Sequence, residues 1–326
     1  MKKLRWGLLS TARINRAVIP PIRGSVRSEL HAVASRDRVK AQEYAAEWHI
    51  PHAYGTYEEL LADESIDAIY NPLPNHLHAE WSIRAAEAGK HVLCEKPLAL
   101  TLAEVDQMIA AAQKHRVVIT EAFMYKHHPQ TLKVLELIEQ ETLGELLLIK
   151  GAFTFNLDRP DDVRWVLEWG GGSIWDVGCY PISFTRLVTK AEPVEVFGWQ
   201  VTGSTGIDVV FGGQMRFVSG LLAQFDCGFR APYRTAMEIV GTRGSIKLSS
   251  PFKPAGSEWI QIKRGDRIEL VESPKVDHLY QGEIEDMERA VLDGQAPRIS
   301  LANSRANVAT IIAFLESART GQPVRL

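Results

Sequence analysis

Leu4-Arg5-Trp6-Gly7-Leu8-Leu9-Ser10-Thr11-Ala12-Arg13-Ile14-Asn15 opens with a short apolar run that breaks into small polar residues. The run over 4–9 reads as a buried strand, and the stretch from Thr11 reads as a helix. The same rhythm continues. Residues 30–34 form a second strand pattern, followed by an alanine-rich helix pattern over 38–48. Residues 68–70, 92–94 and 117–120 are further apolar runs, and helical patterning over 79–88 and 102–114 precedes the last two. Strands alternating with helices of that length predict βαβ units and one parallel sheet.

After Pro129 the rhythm changes. Strand patterns cover 146–155, 194–202, 206–217, 221–225, 236–240, 245–248, 259–263 and 268–271, with turn signals such as Thr242-Arg243-Gly244 and Gly265-Asp266 between them. Successive strands of this kind are usually antiparallel neighbours. Helical stretches near 130–141, 173–189, 282–293 and 301–319 can cover one face. The expected fold class is α/β: a doubly wound parallel sheet of Rossmann type over 1–123, then an α+β domain over 124–326 with an open, mainly antiparallel sheet. An apolar sheet face without helical cover is a place for a subunit to pack, so self-association as a dimer or tetramer through the second sheet is expected.

Composition narrows the partners. The 326 residues are 45% hydrophobic and 24% charged, with net charge -3 and no clustered basic block, which argues against a nucleic-acid partner. Cys94, Cys179 and Cys227 form no CxxC pair and no zinc spacing, so reduced thiols are expected and no metal site. The N-terminal apolar stretch is too short for a signal peptide, and no run approaches the roughly 18 apolar residues of a membrane span. A cytoplasmic location is the expectation.

Ligands of an open parallel sheet sit beyond the carboxyl ends of its strands. At the first end, Ser10, Ala12 and Asn15 can take the three places of a G-x-G-x-x-G turn; aligned from Gly7, only the first place is glycine. Ser10 and Ala12 are small enough for close backbone approach, and Ser10 and Thr11 offer hydroxyls to a pyrophosphate at a helix N-terminus. Arg13 and Ile14 complete the turn. At the second end, Ser35-Arg36 stands where an acidic residue would bind a ribose 2′-hydroxyl, and Arg38 follows. A hydroxyl with a planar cation suits a 2′-phosphate, which favours NADP and leaves NAD possible. The alternative is that Arg36 and Arg38 are solvated loop charges. The third end, Asn71-Pro72-Leu73-Pro74-Asn75-His76, is held extended by two prolines. The fourth is Glu95-Lys96-Pro97, where Lys96 points into the ligand crevice or pairs with Glu95 or Glu121.

These segments resemble the glucose–fructose oxidoreductase / inositol dehydrogenase (Gfo/Idh/MocA) family. The resemblance rests on the turn over 7–14, Pro74-Asn75-His76, Ala88-Gly89-Lys90-His91-Val92, Glu95-Lys96-Pro97, and Gly171-Gly172-Ser173 leading to Trp175-Asp176-Val177-Gly178-Cys179-Tyr180. It spans both halves and implies a Rossmann domain followed by an open antiparallel sheet. It also implies a cis Lys96–Pro97 bond, and cofactor contacts from residues 10–14, Ser35, Arg36, Arg38, Asn71, Pro72, Leu73, Asn75, His76, Glu95, Lys96 and Trp165.

Asp176 and Tyr180 stand four apart after a glycine-rich approach, with Ser173 as an expected N-cap, so one helical face carries both. Pro181 kinks that helix. Hydride transfer from an alcohol needs a group for the hydroxyl proton. Tyrosine, with a free pKa of about 10, serves only if a cation stabilises its phenolate, and Lys96 is the available one. Without the resemblance, Tyr180 reads more readily as a half-buried aromatic bonded to a carbonyl. Many family members carry D-x-x-x-H here. D-x-x-x-Y is similar to the branch with glucose–fructose oxidoreductase, aldose (xylose-type) dehydrogenases and dimeric dihydrodiol dehydrogenases. Tyr125, His128 and Arg164 join Lys96, Asp176 and Tyr180 as expected substrate contacts; Trp165 is an aromatic platform of the kind sugar sites use. The implied activity is NADP-dependent hydride transfer at a hydroxyl or carbonyl carbon of a sugar, polyol or related substrate. Alternatives are a trans-dihydrodiol dehydrogenase, a glycoside hydrolase with tightly bound nicotinamide, and a non-catalytic nucleotide sensor.

Overall fold

Leu4, Trp6 and Leu8 are fully buried on β1 (Leu4–Leu9), and the chain winds outward from that strand in both directions. In the computed structural model, which describes residues 3–254 and 258–326, the first sheet has six strands. After β1 come α1 (Asn15–Gly24), β2 (Ser28–Ala34), α2 (Arg38–Glu47), β3 (His52–Tyr54), α3 (Tyr57–Leu61) and β4 (Ala68–Asn71). Then follow α4 (His78–Glu87), β5 (His91–Glu95), α5 (Leu102–His115) and β6 (Ile119–Ala122). The order is β3-β2-β1-β4-β5-β6 and every pairing is parallel. The winding reverses between β1 and β4, the place where such sheets open a crevice.

Local chemistry sets the boundaries. Asp37 caps α2 by accepting from Val39 and Lys40 N–H, and Thr101 with Glu104 forms a reciprocal capping box on α5. β6 begins two residues later than the apolar run 117–120 suggests. Arg116 turns left-handed (φ 55°), and the Val117 N–H closes the turn onto Ala112 instead of joining the sheet. The β3–α3 pair is invisible in the sequence pattern, because three residues and one short helical turn leave no periodic signal. Lys90, from the Ala88-Gly89-Lys90-His91-Val92 stretch, is buried and donates to the Asp63 and Ile66 carbonyls.

The second sheet belongs to the other unit of the chain. α6 (Pro129–Glu139) and β7 (Leu146–Asn156) precede a π-helical turn, Ile174–Gly178, that runs into α7 (Cys179–Thr189). Next come β8 (Glu195–Thr202), β9 (Asp208–Arg216), β10 (Leu222–Gly228), β11 (Arg230–Gly241), β12 (Gly244–Leu248), β13 (Trp259–Arg264) and β14 (Arg267–Glu272). The order is β14-β13-β12-β11-β7-β10-β9-β8-β15, where β15 is Val324–Arg325. Only the central β7–β10 pair is parallel among the pairings. On β9, Val209, Phe211 and Met215 are buried while Val210, Gln214 and Arg216 are exposed, the alternation of a sheet with one solvated face. Phe314, late in the helix Leu301–Thr320, packs edge-on against Phe211 and Phe225. The opposite face holds an open concavity of about 650 Å³ lined by Lys150, Gly212, Gln224, Glu238 and Lys247.

The chain then departs from the two-part division expected at residue 123. The two units are Met1–Met124 with Asp277–Arg305, and Tyr125–Val276 with Ala306–Leu326. The helix α8 (Gln281–Leu292), expected on the second sheet, packs on α1 and β1 instead. Ile284 and Met287 join the core of Leu4, Trp6, Leu8, Val18 and Ile22, each such burial stabilising by about 1.5–3 kcal/mol. Glu288 reinforces the placement by accepting from the Ser28 hydroxyl at 2.6 Å. Its amphipathic pattern shows that α8 covers a sheet but not which one. No helix among the described residues is long and apolar enough to cross a membrane.

Candidate active site

Four strand ends of the first unit carry the expected cofactor residues. Ser10 has φ 98°, a conformation glycine takes freely and other residues rarely. It therefore does by strain what the first glycine of a dinucleotide turn does without it. The Asn15 side chain donates to the Ser10 carbonyl at 2.8 Å and closes the turn. The backbone N–H groups of Thr11, Ala12, Arg13 and Ile14 find no acceptor among the described residues. Four free donors at the start of α1 fit a pyrophosphate. Gly7 has another role: a Cβ there would meet Leu60, Ile66 and Ile69 at 3.0–3.2 Å, so it is required by packing.

At the end of β2, Ser35 is buried and its hydroxyl accepts from the Asp37 N–H. Arg36 is exposed beside the Tyr57 hydroxyl, which it helps to hold. Arg38 makes a two-pronged pair with Glu59 at 2.6 and 2.8 Å, so its guanidinium is already engaged. Arg36 is the cation of this loop that fits a 2′-phosphate. Beyond β4, Asn71 is fully buried and spends its amide on the His78 carbonyl and the Ser82 hydroxyl, while its oxygen receives the Leu73 N–H. Pro72, Asn75 and His76 are half-buried on the same loop, and burial holds the His76 pKa below its ordinary value. Lys96 is half-buried after β5 and its bond to Pro97 is cis, as the family resemblance implies. Glu95 accepts from the Tyr70 hydroxyl at 2.5 Å, and Glu121 accepts from the Leu98 N–H at 2.9 Å.

His78 was not singled out from the sequence. Its ring nitrogens face the Leu73 and Pro97 carbonyls at 2.6 and 2.7 Å, so one buried ring joins the loops after β4 and β5. Burial lowers its pKa to about 4 against the two carbonyls, which raise it; the neutral ring donates to one of them, the charged ring to both. A lone histidine inside a helix pattern carries no sequence signal for that role.

The second unit gathers the catalytic residues expected from its sequence. Arg164 Nε donates to Asp176 at 2.6 Å, and its Nη1 donates to Asp162 at 3.0 Å. Asp176 foremost, with Asp162, raises the Arg164 pKa above its ordinary range. Tyr180 is buried among aromatic rings: Phe153 at 5.3 Å, Phe252 at 5.4 Å and Tyr125 at 5.8 Å between centroids. Tyr125 stacks on Phe184. Trp165 donates its indole N–H to the Arg159 carbonyl and sets its edge on Phe229. His128 caps α6, accepting from the Gln130 N–H through Nδ1, and burial lowers its pKa. Its Nδ1 is thereby committed to the backbone.

Two expectations about the 173–184 segment change. Asp176 and Tyr180 lie across a π-turn and the first residues of α7, not on one regular α-helix. Ser173 is not an N-cap: it is already helical, and its hydroxyl donates to Asp208 at 2.6 Å. Asp208 also accepts the Ile174 N–H at 2.8 Å, so a carboxylate from β9 does the capping.

The family model described as "Oxidoreductase family, NAD-binding Rossmann fold" matches residues 4–123, and the GFO/IDH/MocA C-terminal domain matches residues 131–247. A D-xylose 1-dehydrogenase (NADP(+)) of Haloferax volcanii is 37% identical over 99% of this chain and 100% of its own. A trans-1,2-dihydrobenzene-1,2-diol dehydrogenase of Danio rerio is 36% identical over 75% and 74%. A 3-ketoreductase from Actinomadura kijaniata, solved with NADP and TDP-benzene, superposes with a TM-score of 0.91 at 28% identity, covering 97% of this chain and 98% of its own. Further structures of that ketoreductase carry a tyrosine-to-phenylalanine change or a change of one lysine.

Proposed function

Because the chain belongs to the Gfo/Idh/MocA oxidoreductase family, we propose that it is an NADP-dependent dehydrogenase or reductase acting on a sugar or polyol, with Tyr180 as acid/base and Lys96 as its cation. The observation that carries the assignment is a lysine at 96 with a tyrosine at 180 in the sequence. The lysine and tyrosine altered in the ketoreductase structures stand as far apart in that chain as Lys96 and Tyr180 do in this one.

NADP, when bound, accepts or returns the hydride of the reacting carbon. The free N–H groups of residues 11–14 hold its pyrophosphate, and Arg36 with Ser35 holds its 2′-phosphate. In the oxidation direction, the substrate hydroxyl gives its proton to the Tyr180 oxygen, and in reduction Tyr180 returns it. Lys96 supplies the positive charge that stabilises the phenolate and polarises the substrate oxygen. Asp176, fixed by Arg164, orients the substrate by accepting a hydroxyl. The aromatic lining around Tyr180 keeps bulk water from the proton.

The test is a screen of free aldoses, polyols, nucleotide-linked keto-sugars and a trans-dihydrodiol for net NADP reduction or NADPH oxidation. The reading expects turnover on an aldose such as D-xylose. Turnover on the trans-dihydrodiol alone would select the second reading, which the 36% identity to the Danio rerio enzyme favours. Substrate conversion without net nicotinamide change would refute both.

The open face of the second sheet is the proposed self-association surface. It exposes Trp199, Val210 and Leu222 beside the cross-strand charges Lys150, Glu238 and Lys247. Light scattering at micromolar concentration should give a dimer or tetramer, and a monodisperse monomer removes the proposal.

A further inference from the structure

Asp208 is the first residue of β9 and only 4% exposed. One carboxylate oxygen accepts both the Ser173 hydroxyl at 2.6 Å and the Ile174 N–H at 2.8 Å. The backbone is shaped to admit it. Gly172 has φ 117°, and a Cβ there would lie 2.2 Å from the other carboxylate oxygen. Gly171 has no more room, since its Cβ would meet the Arg164 and Val166 carbonyls at 2.5 and 2.7 Å. The Gly172 N–H donates to the Arg164 carbonyl, and the Asp176 N–H donates to the Gly172 carbonyl. The backbone of Arg164, the glycine turn, the Asp208 carboxylate and the π-turn carrying Asp176 are therefore one bonded unit. A Ser173 N-cap would have held the turn with a neutral hydroxyl. A carboxylate from a strand 35 residues away holds it with charge-assisted bonds, and sets a negative charge on the helix N-terminus.

We propose that Asp208 is a positioning residue for the reaction, whose ionised carboxylate fixes the π-turn so that Asp176 and Tyr180 hold their working geometry. The inference rests on the reading of Tyr180 and Asp176 given above. π-Turns are rare single-turn interruptions of α-helices, frequent at functional sites. Burial pushes the Asp208 carboxyl up to about 6, opposed by its bonds to Ser173 and Ile174. The ionisable groups facing it include the Cys227 thiol, 3.5 Å from the Ser173 hydroxyl, and the Cys179 thiol near Cys227; burial keeps the Cys227 thiol protonated. Asp226 also acts on Cys227 but is paired with Arg234, so protonating Asp208 removes the anion bonded to the turn as pH falls through about 6, and the clamp loosens.

The test uses the full chain with Asp208→Asn, which keeps the shape and one acceptor oxygen but not the charge, and Tyr180→Phe as control. In wild type the Ile174 amide resonance should titrate with a midpoint of about 6, and in Asp208→Asn it should not move over that range. With NADP and D-xylose, kcat of wild type should fall on the acid side with the same midpoint. The variant should turn over about fivefold or more slower, with KM within about twofold and without that acid limb. Thermal stability above pH 6 should be unchanged or higher, because the buried charge is gone; a merely structural residue would lose stability instead. An Ile174 amide that does not titrate in wild type, or an Asp208→Asn enzyme with wild-type kcat and acid limb, overturns the proposal. The resonance reading needs no substrate. Near-normal turnover by Tyr180→Phe counts against the acid/base assignment, while its inactivity beside a wild-type-like Asp208→Asn counts against Asp208 alone.

Discussion

The two sheets solve the same burial problem in different ways, and their working residues differ accordingly. The parallel sheet is covered by helices on both faces, so its strands are continuous apolar runs such as 4–9 and 68–70. The polar residues buried on it, such as Asn71 and Glu121, are spent on structural hydrogen bonds, and its chemistry lies in the loops beyond the strand ends. Much of that chemistry belongs to the main chain: four free N–H groups and a strained Ser10. The second sheet alternates buried and exposed residues, and its covered face receives the π-turn with Asp176 and the start of α7 with Tyr180. Its chemistry is made of side chains held by other side chains, as Arg164 holds Asp176. A backbone site binds with little dependence on residue identity, whereas a side-chain site fails on the loss of one atom.

The sharpest challenge to this division is Tyr180→Phe. It should lower kcat by about 10²–10⁴-fold while the dissociation constant for NADP stays within about twofold. An equal loss in cofactor binding, measured by fluorescence titration, would break the division. Arg36→Ala is its counterpart in the first unit. It should weaken NADP by about 10- to 100-fold, leave NAD almost unchanged, and leave kcat at saturating cofactor intact. Equal wild-type affinity for the two cofactors would sink the reading of Ser35-Arg36.

A smaller effect separates two buried carboxyls. Asp208 has two donors, whereas both oxygens of Glu283 are buried and find none among the described residues. Burial, with Glu95 near, raises the Glu283 pKa well above its ordinary value. The folded chain thus holds this proton more tightly than the unfolded chain, and stability declines as pH rises past the ordinary glutamate range. Glu283→Met should stabilise by about 1–3 kcal/mol, with the gain larger at pH 8 than at pH 4, in urea titrations. The smallest change is Ser10→Gly. Relief of the positive φ should stabilise by about 1 kcal/mol with cofactor affinity nearly unchanged, as checked by calorimetry.

What the sequence disclosed follows the same line. β1 falls where the apolar run 4–9 falls, and β12 and β13 begin and end within a residue of their patterns, because burial writes a local period. The cap on the π-turn was misassigned to Ser173. Its carboxylate comes from a strand 35 residues onward, and an aspartate inside the strand pattern 206–217 carries no sign of the distant turn it caps. The role of His78 was hidden for a similar reason: its partners Leu73 and Pro97 are carbonyls, which every residue possesses. The engagement of Arg38 by Glu59 needed α3, itself too short to be seen. Sequence pattern reports which side of an element is buried; it does not report which distant atom completes a bond.

The return of Asp277–Arg305 to the first unit has a consequence for how the chain can fold as it is made. Residues up to Met124 contain all six strands of the parallel sheet, yet the seats of Ile284 and Met287 beside Leu4, Trp6 and Val18 stay vacant until α8 has been synthesised. The nucleotide-binding half thus begins first and finishes late, after strands β7 to β14 of the second sheet have been made. A nascent chain halted at residue 276 would present an apolar groove on β1 and α1, a natural place for a chaperone to wait.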